Sequence, residues 1–522
     1  MKSYKYYIVG ALLIMMGGSC KKNTFNLNPT DQLSPASFWK TSSDATAGLT
    51  GCYSNLYDIT EEVLPYLDVL TPNAYSNYPW EGWQAISWGN ATPNGPGGIN
   101  YIWQGAYSGI GRANVFLANI DKVDMDASLK ARMTGEVKFL RALYYFNLIN
   151  YYGDVPLILT PPDLNQAKQA RTPVADVRQQ ILKDLDDATT VLPAQPYTGA
   201  DIGRATKGAA LTLKAKVLLY NGQWADAAAT AKSVMTLSGS GYALFPSYRG
   251  LFLPANENNS EVIFDVQFES SGKYSSSWDT YIGLYNASYT PGWSSIEPTQ
   301  DFVDTYDMKD GSTYSAANPL ADPNDKYNNR DPRLDQTIFR KGVNYNGLPY
   351  PVDSKGFAGI YTGFSFKKYT VYDNAPTAMV SYQKSYINGI LLRYADVLLM
   401  YAEAQNEAVG PDASVYDAVR QVRQRAGINP PDLPAGLSQS QMRTRLMHER
   451  RIEFVGEGLY FSDVRRWKTA NVELNRAVQL NGSYKAGIMD IRKYDPNKNN
   501  LFPIPQHEID NSQKAITQNP GY

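Results

Sequence analysis

Tryptophan and tyrosine are the residues of this chain whose placement points to chemistry. Tyr66, Tyr75, Tyr78, Trp80, Trp83 and Trp88 crowd the stretch from Pro65 to Asn100, which Pro, Gly and Asn punctuate. Tyr274, Trp278, Tyr281, Tyr285, Tyr289 and Trp293 crowd a second stretch of the same texture. Indole and phenol rings combine a flat apolar face with a polar tip, so an irregular surface rich in them can stack against a guest and hydrogen-bond its rim. The competing expectation is packing. Burying one large ring stabilises a fold by about 1.5–3 kcal/mol, and a loop without helices has reason to use several. The two clusters hold more rings than short loops can easily cover, which favours a binding surface.

Other constellations fail on inspection. His448-Glu449 begins like a zinc-binding HExxH helix, but Ile452 stands where the second histidine belongs. The charged run from His448 to Arg466, with Glu449, Arg450, Arg451, Glu453, Asp463, Arg465 and Arg466, has helical spacing and reads as an ion-pair network. Gly109-Ile-Gly111 has Asn114 in place of the third glycine of a dinucleotide loop, and the glycines around Ser108 are wrongly spaced for a nucleophile elbow. A pair of carboxylates for glycoside hydrolysis cannot be placed from sequence. The Asp and Asn side chains leave room for a structural calcium, yet no EF-hand spacing is present and no cofactor is indicated.

With 522 residues, 43% of them hydrophobic, the chain can bury a large core as one body or two closely joined ones. A net charge of −1 gives no basic footprint for nucleic acid or anionic lipid. Tyrosine, at 39 residues against 17 Phe, is unusually abundant, and each buried hydroxyl needs a partner, so the excess fits a wet aromatic surface. Lys2 and Lys5 precede an apolar run ending near Met16, then Gly17, Gly18, Ser19 and Cys20. That is the layout of an export signal over residues 1–19, too short for a comfortable membrane span. Cysteine directly after small residues resembles a bacterial lipobox, which implies cleavage before Cys20, lipidation of its thiol, and a polar tether over residues 20–30. Cys52 then has no disulfide partner and reads as a small buried residue.

The elements that must hold the aromatic loops are helices. Glu136–Pro156 is apolar on nearly every side except Lys138, Arg141 and Tyr145, which form one narrow wet strip, so the helix ending at Tyr152 reads as the buried member of a stack. Further helices are expected at 42–57, 101–120, 172–193, 205–220, 223–235, 390–408, 415–426 and 441–470. The pairs 205–220/223–235 and 390–408/415–426 look like tetratricopeptide-type hairpins, although no fixed period recurs. Between them the segment 238–389 changes texture, with EVIFDVQF at Glu261–Phe268 alternating as a short strand.

Taken together, Cys20, FWKTSSDATAGLTGCYSNLY, GRANVFLANID, EVKFLRALYYFNLINYYGDVPL, GRATKGAALTLKAKVLLYNGQW, RDPRL, LLRYADVLLMYAEAQNEA, VRQRAGI, HERRIEFVGEGLYFSDVRRWK and LFPIPQHEI resemble, in order and over almost the whole chain, the SusD/RagB family of outer-membrane nutrient-binding lipoproteins of Bacteroidetes. The resemblance implies a mainly α fold with four tetratricopeptide-like hairpins packed against an irregular, loop-rich region with a few short strands. It implies a single body over 31–522, with scaffold at about 31–237 and 390–470, a ligand-binding insert at about 238–389 and an extended end at 471–522. It implies no catalysis, capture of an oligosaccharide at the cell surface, and a SusC-like TonB-dependent transporter as partner, with peptide or other nutrient capture as the alternative and a secreted glycoside hydrolase as a more distant one. Lys21-Lys22-Asn23 depart from the acidic residues that surface-exported members often carry after the cysteine. The family holds its ligand with the loop before the helix at Tyr101 and the segment before PTQDFVDTY. That makes Trp293 the first candidate and Trp80 and Trp83 the next, with Trp88, Tyr75, Tyr78, Trp278 and Tyr289 completing the set.

Overall fold

The computed structural model describes residues 38–76, 78–286, 290–350, 361–480 and 489–522. The export signal, Cys20, the tether and Tyr289 lie outside them. The scaffold is built from helices α1 (Ser42–Ser54), α2 (Gly98–Asn119), α3 (Ala127–Tyr152), α4 (Val174–Val191), α5 (Lys207–Tyr220), α6 (Trp224–Met235), α7 (Tyr394–Val409) and α8 (Ala413–Arg423). They pack as α1 on α2, α3 on α4, α5 on α6 and α7 on α8, and α2, α4 and α6 each pack onto the start of the next pair. Among the described residues, no helix is long and apolar enough to cross a membrane.

Local chemistry sets the ends of these helices. Thr41 and Asp44 close a reciprocal capping box on α1, and Asp126, Thr206 and Asp412 each accept from free amides at the starts of α3, α5 and α8. Gly153, at φ +74°, ends α3 in a backbone conformation that costs other residues more. Close approach is set by small residues. A Cβ on Gly109 of α2 would lie 2.4 Å from the ring of Tyr144 on α3, whose hydroxyl donates to the Cys52 carbonyl at 2.7 Å. Cys52 is a buried free thiol, and burial pushes it up to about 12.

Only Lys138 of the strip on α3 is partly exposed; Arg141 and Tyr145 are buried. Arg141 donates bidentately to Asp184 of α4, both at 2.8 Å, and also to Asn114 of α2. Lys138 pairs with Asp187 at 2.7 Å, and the Tyr145 hydroxyl donates to the Ile158 carbonyl. Polar residues on a core helix mark where a neighbour brings matching charge, and α4 supplies it here.

Two further boundaries differ from expectation. The helix placed at 390–408 begins only at Tyr394, because Gly389–Arg393 is a strand. With β1 (Ala74–Ser76), β2 (Val262–Val266), β3 (Ile296–Pro298) and β4 (Gly389–Arg393), β2 pairs antiparallel with β4 and β1 with β3. The β2–β4 ladder joins the two ends of the irregular insert at the scaffold. The helix placed at 441–470 is broken into α9 (Gln439–Phe454) and α10 (Tyr460–Arg466). Gly456 and Gly458, both at positive φ, turn their amides onto the buried Asp68 carboxylate at 3.0 and 3.1 Å.

The charged run is the ion-pair network its spacing suggests. Glu453 of α9 meets Arg333 and Arg393 at 3.1 and 3.0 Å and Arg425 at 3.2 Å. Glu449 takes Arg333 and Arg423, while Arg450 joins Asp396 and Asp463. These side chains are all buried, and Arg333 comes from the insert, so α9 fastens the irregular region onto the helical pairs.

Candidate functional site

The two aromatic stretches meet through β1 and β3. Their antiparallel pairing sets Ala74 opposite Pro298 and Ser76 opposite Ile296, so residues following β1 lie beside residues preceding β3. The Tyr78 hydroxyl accordingly donates to the Trp293 carbonyl at 2.8 Å. Trp80 stacks on Tyr78 with centroids 4.6 Å apart and planes at 27°, and is 71% exposed. Trp293 lies between Tyr281 and Tyr382, at 5.8 and 5.6 Å, and Tyr382 is 49% exposed. The Tyr78–Trp80 and Trp293–Tyr382 pairs are thus tied together through the Tyr78 hydroxyl, with Trp80 and Tyr382 as the exposed rings of this aromatic face.

Backbone geometry fixes Trp293. Its amide donates to the Thr280 carbonyl at 2.6 Å, and those of Ser294 and Ser295 donate to Gly283 and Tyr281 at 2.9 and 2.7 Å. Ser294 sits at φ 51°, a conformation that side-chain-bearing residues adopt rarely and that surrounding hydrogen bonds must hold. The C-terminal region anchors the opposite strand. Buried Arg492 donates to the carbonyls of Val69 and Ala74, and Asn73, beside β1, accepts from Arg451 at 2.7 Å.

Carboxylates flank the rings. Tyr281 donates to Glu62 at 3.4 Å, and Tyr66, edge-on to Tyr281 at 5.2 Å, donates to Glu81 at 3.0 Å. Burial, with Glu61 alongside, pushes Glu62 up to about 8. Burial pushes Glu81 up to about 7, against the hydroxyls of Ser295, Tyr66 and Ser76 that favour its anion. A carboxyl that keeps its proton near neutrality can both donate to and accept from a hydroxyl. Among the described residues no group of three or more His, Cys, Asp and Glu side chains could hold a metal ion.

Other predicted residues serve elsewhere. Trp83 is 2% exposed and stacks on Tyr66 at 5.5 Å with planes 5° apart, and a Cβ on Gly98 would fall 1.9 Å from its ring. Trp278 is 0% exposed, donates to the Glu61 carbonyl at 3.0 Å and packs on Phe268 and Tyr369. Both are packed in the interior and offer no ring surface to a guest, which corrects the expectation for each. Half-buried Trp88 donates to Asp490 at 2.6 Å, and half-buried Tyr75 accepts from Gln84 and tilts against Tyr361. Tyr289 is outside the described residues. Sequence reasoning missed Tyr382 and Glu62. Tyr382 carries the same signal as the rest, a tyrosine in an irregular stretch, but it stands far along the chain from either crowd.

A helical scaffold that presents ring faces beside carboxyls is suited to holding a guest with apolar faces and hydroxyls. The SusD family pattern matches residues 260–522, and a second pattern, described as starch-binding associating with outer membrane, matches residues 33–219. The chain belongs to the SusD family. It is similar to the SusD-like protein P2 of Formosa agariphila, 27% identical with all of both chains covered (100% each). Among solved structures, a SusD-like carbohydrate binding protein from Bacteroides fragilis superposes with a TM-score of 0.82 at 27% identity, covering 92% of this chain and 99% of that one. A laminarin-binding SusD-like protein superposes at 0.72 and 27% identity, covering 93% and 100%.

Proposed function

We propose that this protein captures an oligosaccharide on the face formed by Tyr78, Trp80, Trp293 and Tyr382 and passes it to a SusC-like TonB-dependent transporter, held at the outer membrane by a lipid on Cys20. One observation carries the reading: exposed Trp80, stacked on Tyr78, and exposed Tyr382, packed on half-buried Trp293, come from distant stretches that the β1–β3 pairing and the Tyr78–Trp293 hydrogen bond bring together. Pyranose rings present an apolar C–H face that stacks on such plates, and their hydroxyls suit the Glu62 and Glu81 carboxyls. The carbohydrate-binding and laminarin-binding relatives, and the family description naming starch and the outer membrane, support the same class of cargo and location.

The test is electrophoresis of the native protein in gels containing starch, laminarin or pectin, with reducing ends assayed after incubation. Retardation in at least one gel without released reducing ends is expected. Free mobility in every gel, or glycan cleavage above a blank, would overturn the reading.

A further inference from the structure

A small polar cavity lies among the helices of the scaffold, and no residue of the aromatic face lines it. It holds about 200 Å³ where α3, α4, α5, α10 and the chain at 500–501 come together. Three arginines line it, Arg178, Arg465 and Arg466, and among the described residues no Asp or Glu does. Arg466 is neutralised where it stands, by Glu403 at 2.7 Å and Asp463 at 2.8 Å. Burial opposes its charge, yet those two carboxylates raise it well above the usual guanidinium value. The other two arginines have no such partner.

Half-buried Arg465 donates from Nη1 to the Asn500 carbonyl at 2.8 Å, and from Nη2 to the Asn150 carbonyl and side-chain oxygens at 2.8 and 3.0 Å. All of these acceptors are neutral, and its Nε is buried without a partner. Half-buried Arg178, on α4, has neither a hydrogen-bond nor an ion-pair partner among the described residues. Burial lowers both guanidinium groups, and no carboxylate stands near enough to either to oppose it. A guanidinium does not give up its proton in a protein, so the cavity carries two positive charges that its walls leave unbalanced. The Tyr220 hydroxyl lines the same space, likewise with no hydrogen-bond partner among the described residues, and adds a neutral donor. Carbonyl capping accounts for the placing of Arg465. It does not account for Arg178, a rotamer-rich cation held half-buried at a cavity that already contains a like charge.

We propose that this cavity binds a small oxyanion of the sulfate or phosphate class, held by Arg178, Arg465 and the Tyr220 hydroxyl. Guanidinium groups suit such ions because their forked N–H donors make charge-assisted hydrogen bonds to two oxygens at once. At about 30 Å³ per water in the liquid, the space takes a tetrahedral ion and a few waters. It falls below the roughly 300 Å³ at which pockets begin to enclose larger ligands. A bound ion joins α3, α4 and α5 to α10 and the chain at 500–501, so occupancy stabilises the fold. The site is independent of the glycan reading and stands or falls apart from it.

Equilibrium dialysis of labelled inorganic phosphate and sulfate against the wild type, Arg178→Gln and Lys183→Gln tests the site. Melting temperatures are followed in parallel as either ion replaces chloride at constant ionic strength. The wild type should bind one ion per chain, with a melting temperature that rises and saturates. Arg178→Gln has no partner to lose, so it should fold normally and bind more weakly by about tenfold or more, the factor carried by one charge-assisted hydrogen bond. Lys183→Gln removes the same charge from α4 at an exposed position outside the cavity and should bind as the wild type does. Glucose 6-phosphate identifies the source of the anion. Displacement of labelled phosphate by it assigns the site to an ester headgroup, and failure to displace assigns it to the free ion. No bound ion in the wild type, unchanged binding by Arg178→Gln, or equal losses in the two variants would overturn the site.

Discussion

Glu297 shows how one buried side chain ties the candidate site to pH. It pairs across from Tyr75, and its carboxylate accepts from the amides of Tyr361 and Thr362 at 2.8 and 2.7 Å. Burial nevertheless raises it from 4.5 to about 8, against those amides. A carboxyl whose folded pKa lies above its unfolded value contributes stability that is complete below the unfolded value and is lost as pH rises through the folded one. Melting temperature should therefore fall between pH 5 and 9, and Glu297→Gln should flatten that slope; an unchanged slope would show that the group does not titrate there. The sign reverses for Glu449. Burial opposes its charge, yet Arg333 and Arg423 hold it down to about 2, so its contribution is present above about 4.5 and is lost as pH falls toward 2. Two of the three tryptophans of the first stretch separate at the same scale. Trp83→Ala should destabilise by about 3–5 kcal/mol because it empties a packed slot, whereas exposed Trp80→Ala should stay within about 0.5 kcal/mol. Urea denaturation curves check both.

At the scale of elements, the helices were the legible part of the sequence. α2, α5 and α6 lie within three residues of where apolar periodicity places them, and α3 ends at Tyr152 as expected, because that periodicity is imposed by neighbours on the same stack. What the sequence concealed was the company each element keeps. Lys138, Arg141 and Tyr145 read as a wet strip because nothing local announces that Asp187 and Asp184 of α4 will meet the first two and the Ile158 carbonyl the third. Trp83 and Trp278 read as binding rings for the same reason, since residue type does not separate an exposed plate from the packing beneath it. Trp80 and Trp83 stand three residues apart, one 71% exposed and the other 2%. The helix contacts are themselves testable. Gly109→Ala, which drives a methyl into Tyr144, should cost about 1–3 kcal/mol by overpacking α2 on α3. Glu453→Ala should cost about 3–5 kcal/mol, because Arg393, Arg333 and Arg425 lose a shared buried partner. A loss below about 1 kcal/mol for Glu453→Ala would mean that α9 does not fasten the insert to the scaffold.

For the whole molecule, the division of labour is between helical pairs that hold and an irregular region that presents. The β2–β4 ladder and the α9 network fix the insert at both ends, so the aromatic face is carried by parts of the chain more than two hundred residues apart, as the Tyr78–Trp293 hydrogen bond illustrates. That arrangement suits the proposed capture role. Purification of the protein from detergent-solubilised outer membrane should bring down a barrel transporter, and recovery of the protein alone would count against the proposed hand-off. The central claim is that the Trp80–Trp293 face, not some cleft among the helices, is where the guest rests. Gel retardation of Trp80→Ala, Trp293→Ala and the double variant, measured beside their melting temperatures, tests it most directly. The account predicts progressive loss of retention, complete in the double variant, with melting temperature held near that of the wild type. Full retention by a folded double variant would contradict it.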